Sequence, residues 1–144
     1  MIKRKIGHIV CVSSVQGKFA IPHRSAYTAS KHALQAFSDS LRAEVDQFNI
    51  KVTVVSPGYI NTALSVNALT SNGNSYGMTD TSTSSGANPE TVAKDIFYAV
   101  LREEKDCIIA PLAPKVAYWL RMFCPSIYFW IMAKRARNLT LKEN

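Results

Sequence analysis

Two β-branched runs on either side of a helix-length segment constrain what this chain can fold into. The first run, 7–14, reads Gly-His-Ile-Val-Cys-Val-Ser-Ser, and the second covers 50–58; both have the length and composition of buried parallel strands. Between them, Ser25 to about Gln47 predicts a helix. Its apolar residues recur every three or four positions, as Leu34, Phe37, Leu41 and Val45. This order predicts an α/β fold in which the helix packs one apolar stripe on a sheet.

Three polar side chains lie at the end of the first strand and the start of the helix. Lys31 follows Tyr27 by four residues, so the two share a helix face, and Ser14 ends the strand. A free phenol exchanges protons poorly at neutral pH, and a nearby ammonium lowers its pKa towards that range. The trio indicates a general acid/base site in which Tyr27 transfers the proton. Taken alone, the pair is a weak motif, because such residues are more often a half-buried aromatic and a solvated cation.

A further polar segment follows the second strand. That strand closes in Pro57-Gly58, and Thr62 comes four residues after the glycine. Strand, serine, Tyr-x-x-x-Lys, strand and Pro-Gly-x-x-x-Thr, in this order, closely resemble the short-chain dehydrogenase/reductase family. The resemblance implies that Tyr27 is the catalytic acid/base, that Ser14 binds and orients the substrate oxygen, and that Lys31 assists Tyr27. It also implies contacts to the nicotinamide end of a dinucleotide cofactor from Tyr27, Lys31, Pro57, Gly58, Ile60 and Thr62.

The glycine-rich turn that holds the pyrophosphate in such enzymes is absent from this sequence. The six glycines are scattered, and none forms Gly-x-x-x-Gly-x-Gly after a strand. The resemblance therefore implies the C-terminal half of a Rossmann-type doubly wound parallel sheet, lacking the N-terminal dinucleotide-binding strands. We expect 1–115 to form this catalytic half and 116–144 to form a hydrophobic and aromatic, then basic, tail. The stretches 13–27 and 64–68 resemble a membrane-associated subgroup of the family, which favours NADP(H) over NAD(H).

Charge and cysteine usage narrow the classes of partner. The formal net charge is +7, from 17 Lys+Arg and 10 Asp+Glu, but the basic residues do not form the stripe typical of a nucleic-acid interface. We therefore expect no nucleic-acid partner. The three cysteines and three histidines show no metal-ligand spacing, so no metal site is expected.

Residues 70–88 are rich in Ser, Thr, Asn and Gly, which predicts a long loop. Two interpretations remain open for it. In one it is a mobile substrate lid with Tyr76 and Met78 as contacts, and in the other it is plain disorder.

The segment 116–133 has an unusually aromatic composition, which is a second indication of function. Its 18 residues hold six of the chain's 14 aromatic side chains, and a basic stretch, 134–137, follows. Arg121 and Pro125 interrupt the apolar run, which argues against a spanning helix and favours a helical hairpin lying in the membrane interface. The alternative is a C-terminal helix packed on the domain or on a partner subunit. The first interpretation predicts a membrane-associated protein of the endoplasmic reticulum or a similar endomembrane.

Together these features predict an NAD(P)-dependent oxidoreductase that interconverts a carbonyl and an alcohol, present here as a partial or truncated chain. The substrate is a small carbonyl or alcohol compound, and a lipid-like one suits an enzyme at a membrane surface. In the family the Tyr27 helix also pairs with its twin, which implies a homodimer. The alternative is a non-catalytic, membrane-attached half-domain or dimerisation product that binds no cofactor.

Overall fold

The computed structural model describes residues 1–70, 72–78 and 80–143. Its centre is a parallel sheet of three strands in the order β1 (Gly7–Val12), β2 (Ile50–Pro57) and β3 (Asp106–Ile109). The α-helices are α1 (Ser25–Val45), α2 (Thr81–Ser84), α3 (Pro89–Leu101), α4 (Leu112–Phe123) and α5 (Pro125–Glu143). Short 3₁₀ helices cover Ile2–Arg4, Val15–Gly17 and Asp46–Phe48. The predicted α/β class, the parallel strands and the long helix between them are confirmed.

The middle strand β2 is buried along most of its length. Every residue from Val52 to Pro57 is buried, and Val54 and Val55 are fully inaccessible to solvent. Helices α1 and α3 both pack on β2. A strand enclosed in this way needs a continuous apolar run rather than alternation, which is what its β-branched sequence supplies.

Helix α1 meets the sheet through a stripe that matches the predicted one only in part: Val45 is buried and Leu41 packs on the same cluster, but polar residues take other sheet-facing positions. Its buried residues are Thr28, Gln35, Ser38 and Val45, whereas Phe37 is 59% exposed. Successive helical residues advance by about 100°, so Phe37 lies nearly opposite Gln35 around the helix axis. The assignment of Phe37 to the buried stripe was therefore wrong, because apolar spacing alone does not show that polar residues occupy the sheet-facing positions.

Helix α3 begins at an asparagine cap. The side chain of Asn88 accepts hydrogen bonds from the backbone N–H groups of Glu90 at 2.8 Å and Thr91 at 3.4 Å. Pro89 occupies the first turn, where its missing N–H costs nothing. The cap thus fixes where the chain re-enters regular structure after the long loop.

The long loop is partly structured. Leu69 pairs with Ser75 in an isolated antiparallel bridge, and Ala87 pairs with Ile60. Met78 is 60% exposed and Tyr76 39% exposed. Parts of the predicted lid, Ser71 and Thr79, fall outside the described residues. Its role as a substrate lid stays a prediction.

The C-terminal tail forms a helical hairpin, α4–α5, with its turn at Cys124 and Pro125. Tyr128 is 2% exposed and packs in a cluster with Val15 and Phe19, and its hydroxyl donates a hydrogen bond to the carbonyl of Ala20. One side of the hairpin therefore packs on the domain, as the alternative interpretation of the sequence proposed. Helix α4 also runs across the expected boundary at residue 115. No helix among the described residues is long and apolar enough to cross a membrane.

Candidate active site

Ser14 lies at the carboxyl end of β1, as the sequence predicts. The backbone N–H of Ser13 donates to the Val55 carbonyl at 2.7 Å, which continues the pairing with β2 up to this point. The chain then turns into the 3₁₀ helix Val15–Gly17, which Ser14 caps by accepting from the N–H of Gln16 at 3.2 Å. Ser14 is buried, at 7% exposure, and lies at the edge where parallel sheets place their ligands.

Helix α1 carries Tyr27 and Lys31 in its first two turns, and both are half-buried. The Lys31 Nζ lies 5.7 Å from the centre of the Tyr27 ring. The same ammonium donates to the carbonyl of Val12 at 3.3 Å. Lys31 is thus held between the Tyr27 ring and the end of β1, two residues before Ser14. The structure brings all three predicted catalytic residues to one end of the sheet.

Buried polar contacts lock α1 against the segment that carries Ser14. The hydroxyl of Ser13 donates to the Lys31 carbonyl at 3.3 Å, and the Thr28 hydroxyl donates to the Gln16 side chain at 3.4 Å. One turn further on, the Gln35 amide donates to the Ser56 hydroxyl at 2.8 Å. Directional bonds of this kind fix the position of a helix more tightly than apolar contact does.

Gly17 allows the close approach of these two elements. A Cβ at this position would lie 2.7 Å from the Ser13 hydroxyl oxygen and 2.8 Å from the Lys31 carbonyl oxygen. Both distances are shorter than non-bonded atoms tolerate. A glycine is therefore required for the Ser14 segment to pack directly on α1 next to Lys31.

The predicted cofactor-binding residues follow the end of β2. Pro57 is buried, and the N–H of Gly58 donates to the Ile109 carbonyl at 2.9 Å, beside the end of β3. Ile60 forms the bridge with Ala87. Thr62 is exposed, and its hydroxyl oxygen accepts a long hydrogen bond of 3.4 Å from the N–H of Leu64. In this bond the hydroxyl is the acceptor, so the bond does not use its hydrogen.

An ion pair that the sequence did not indicate borders this region. Arg24, directly before α1, pairs through its guanidinium with Asp80 in the long loop. The same guanidinium lies 6.0 Å from the centre of the Tyr59 ring. Arg24 therefore connects three segments: the start of the Tyr27 helix, the turn after β2, and the long loop. The partners are 56 residues apart, so no local pattern could have revealed the pair.

The described residues place a hydroxyl, a phenol and an ammonium at the carboxyl end of β1, with a hydroxyl-bearing turn at the end of β2. This arrangement can bind an oxygen atom and exchange a proton with it. Hydroxyl and ammonium donors also suit the sugar and amide groups of a nicotinamide nucleoside. By contrast, no strand here is followed by the glycine-rich turn that a pyrophosphate needs.

A family model described as short chain dehydrogenase matches residues 1–73. The match covers just over half of the chain and includes Ser14, Tyr27, Lys31 and every predicted cofactor contact. The chain belongs to the short-chain dehydrogenase family.

Curated relatives of this family member align along almost all of its length. The chain is 66% identical over 139 residues to "Dehydrogenase/reductase SDR family protein 7-like" of Anopheles gambiae, and the alignment covers 96% of this chain and 44% of the relative. It is 54% identical over 143 residues to "Dehydrogenase/reductase SDR family member 7B" of Danio rerio, and this alignment covers 99% of this chain and 46% of the relative. The chain thus spans less than half the length of these relatives and corresponds to a C-terminal part of the member 7B type.

A solved structure supports the fold at lower sequence identity. A short-chain dehydrogenase of Burkholderia cenocepacia, determined in complex with NADP, matches with a TM-score of 0.70 at 20% identity. The match covers 91% of this chain and 49% of the solved one. The three-stranded sheet and its helices therefore correspond to part of a Rossmann-type fold.

Proposed function

We propose that the chain carries the catalytic half of an NAD(P)-dependent oxidoreductase that interconverts a carbonyl and an alcohol. Tyr27 donates its proton to the carbonyl oxygen in reduction and takes it back in oxidation. Lys31 holds its positive charge beside the Tyr27 ring and stabilises the negative charge that develops on the phenol oxygen during proton transfer. Ser14 binds the same substrate oxygen. The observation that carries this proposal is the clustering of Tyr27 and Lys31 with the end of β1.

The cofactor proposal concerns the nicotinamide end. Lys31, Thr62 and the backbone from Pro57 to Ile60 would hold the nicotinamide and its ribose, and when bound the cofactor supplies or accepts the hydride. We favour NADP(H) over NAD(H), because the stretches 13–27 and 64–68 resemble the membrane-associated subgroup of the family. Parallel titrations with NADPH and NADH test this preference, and tighter binding of NADH would contradict it.

The test of catalysis is Tyr27→Phe, measured in the longest polypeptide that carries these residues. Removing the proton donor should lower turnover by about 10²–10⁴-fold, which is the usual contribution of general acid/base catalysis. The matched control is Tyr98→Phe on α3, whose side chain is 54% exposed and lies outside the site. Unchanged turnover in the Tyr27 variant, under conditions where the parent is active, would reject the assignment.

The second candidate is a non-catalytic half-domain, and the sheet edge favours it. Within the described residues, β1 pairs with β2 alone, and its Val10 and Val12 are 37% and 53% exposed. An open strand edge of this kind normally pairs with another strand. Calorimetric titration of this 144-residue chain with NADPH separates the two candidates. Stoichiometric binding of NADPH would contradict the non-catalytic candidate. If no heat of binding is measured, the isolated chain is not an active enzyme.

We further propose a homodimer through α1 and an association with endomembranes through the α4–α5 hairpin. The outward position of Phe37 on α1 supports the first, and Phe37→Asp should convert the dimer to a monomer in sedimentation experiments. Exposed aromatic side chains on the hairpin support the second, and a lipid-like carbonyl or alcohol compound would reach the site from such a surface. Only net charge favours a nucleic-acid partner, so we propose none.

A further inference from the structure

We propose that the outer side of the α4–α5 hairpin docks on an anionic phospholipid bilayer. The inference deepens the membrane association proposed above and specifies its surface, its lipid chemistry and its charge requirement. It rests on three observations: an exposed apolar stripe on each helix, a basic side chain over an exposed tryptophan ring, and a strongly one-sided charge distribution.

Helix α4 exposes one continuous apolar stripe. Its members follow at intervals of four, three and four residues and are Leu112, Val116, Trp119 and Phe123, exposed by 75%, 45%, 54% and 73%. This spacing places them along one side of the helix. The rings of Trp119 and Phe123 stack with centres 5.5 Å apart. The domain-facing residues Ala117 and Leu120 lie elsewhere around the helix and pack towards Tyr128.

Helix α5 repeats this division. Tyr128 and Met132 pack towards the domain, whereas Ile127, Trp130 and Ile131 are exposed by 52%, 62% and 36%. The Lys134 ammonium, one turn after Trp130, lies 5.6 Å from the centre of its ring. Aromatic rings followed by a cation along the same side are typical of helices that lie at the level of lipid headgroups.

A second cation–aromatic contact connects the two helices. The Arg121 guanidinium of α4 lies 5.0 Å from the centre of the Phe129 ring of α5. Phe129 is itself 54% exposed. Helical spacing places Arg121 and Phe129 away from the two apolar stripes, so this contact joins the helices, and Lys134 beside Trp130 is the cation that borders the apolar surface.

The charge distribution selects anionic lipid over a neutral surface. Residues 107–142 contain six Lys or Arg and no Asp or Glu. Residues 1–106 contain eleven basic and nine acidic residues, so most of the net charge of the chain lies on the hairpin. Each basic residue near an anionic bilayer strengthens binding by about fivefold.

The two tryptophans provide a direct test, because Trp119 and Trp130 are the only ones in the chain and both lie on the proposed surface. Purified chain is mixed with vesicles of phosphatidylcholine alone or of phosphatidylcholine with phosphatidylserine. On the anionic vesicles we expect blue-shifted emission and protection from acrylamide quenching, with little change on the neutral ones. The single variants Trp119→Phe and Trp130→Phe each keep one tryptophan. The emission of the remaining tryptophan should shift to the blue in both variants.

Charge reversal with a matched control tests the lipid requirement. The triple variant Lys134→Glu, Arg135→Glu, Arg137→Glu should weaken binding to anionic vesicles by more than about hundredfold, given fivefold per lost positive charge. The control reverses an exposed basic triplet at the other end of the chain, Lys3→Glu, Arg4→Glu, Lys5→Glu, and should bind almost as the parent does. Equal loss in both would show that net charge alone drives binding and would overturn the proposal.

Two further outcomes also overturn it. One is the absence of any shift on anionic vesicles, and the other is a shift that grows with protein concentration without lipid, which indicates a second copy of the chain on this surface. The test is independent of catalysis, because the Tyr27→Phe chain should bind vesicles as the parent does. Failure of vesicle binding therefore leaves the oxidoreductase proposal to its own experiment.

Discussion

Helix α1 and the α4–α5 hairpin both pack next to the segment that carries Ser14, but they are held there in different ways. Helix α1 buries polar side chains, Thr28, Gln35 and Ser38, each with a hydrogen-bond partner. Among the described side chains of the hairpin, Tyr128 alone is buried, and many large apolar ones face outwards. Helix α1, which carries Tyr27 and Lys31, is fixed by directional bonds, whereas the hairpin is attached mainly by apolar contacts around Tyr128.

This difference fits two separate tasks. A general acid must keep its position relative to the substrate oxygen to within a fraction of an ångström, and buried hydrogen bonds supply that restriction. A surface that docks on lipid needs exposed apolar area and tolerates small shifts, because apolar contact is not directional. The contrast can be tested by substitutions that disturb the packing of each region in turn, first that of the hairpin and then that of α1.

The largest effect is expected from Tyr128→Ala. Truncating a buried large aromatic side chain costs about 3–5 kcal/mol, and the hydrogen bond to Ala20 is lost as well. The free energy of unfolding, measured in urea, should fall by that amount. Amide exchange should accelerate in α4 and α5 more than in α1, because the hairpin loses its attachment while the bonds of α1 remain.

Phe123→Ala is the matched control for that variant. Phe123 is on the same hairpin but 73% exposed, so its truncation should change the free energy of unfolding by less than about 1 kcal/mol. Equal losses in the two variants would contradict the distinction between a buried attachment and an exposed surface. Uniform acceleration of exchange after Tyr128→Ala would show that the hairpin is integral to the domain.

A smaller effect is expected from Gly17→Ala, which tests the packing of α1. The added methyl group would meet the Ser13 hydroxyl and the Lys31 carbonyl at under 3 Å, and such overpacking typically costs about 1–3 kcal/mol. In an active enzyme the same variant should reduce turnover, because α1 must move away from Ser14. Urea unfolding and turnover are measured on the same preparation.

Gly7→Ala controls for the loss of a glycine. Its Cβ would also approach other atoms, at 2.6 Å, but these belong to the flexible side chain of Met1, which can move aside. We expect it to cost clearly less than Gly17→Ala. A greater loss in the Gly7 variant would contradict the view that close approach to α1 makes Gly17 the more costly glycine to replace.

Local patterns were enough to predict the first two strands and the long helix, and to place Ser14, Tyr27 and Lys31 at one end of the sheet, while their catalytic roles stay a prediction. The two β-branched strands and the long helix are each encoded within a few neighbouring residues, and parallel strands bring their carboxyl ends to one edge by geometry alone. The sequence did not reveal the Arg24–Asp80 pair or the contact of Tyr128 with Ala20, whose partners are 56 and 108 residues apart. Contacts over such distances depend on how the elements pack, which periodicity does not encode.

The smallest expected effect concerns two cysteines, one in the sheet and one in the hairpin. Cys107 lies in β3, where burial, with the nearby Glu104 carboxylate, raises its pKa from 9.0 to about 11. Cys124 is exposed at the turn of the hairpin. Only a thiolate is alkylated, so Cys107 should react slowly at about pH 8 and faster as the pH rises, by nearly tenfold per unit until about pH 11.

Iodoacetamide labelling with peptide mapping measures both sites in one experiment. We expect Cys124 to be labelled first at neutral pH and the difference to vanish in urea, where burial is removed. Glu104→Gln should lower the Cys107 pKa only in part, because burial is the larger cause. If Cys107 were labelled as fast as Cys124 in the folded protein, the sheet end would be as open as the hairpin turn. The comparison between a fixed core and a loosely attached surface would then fail at β3.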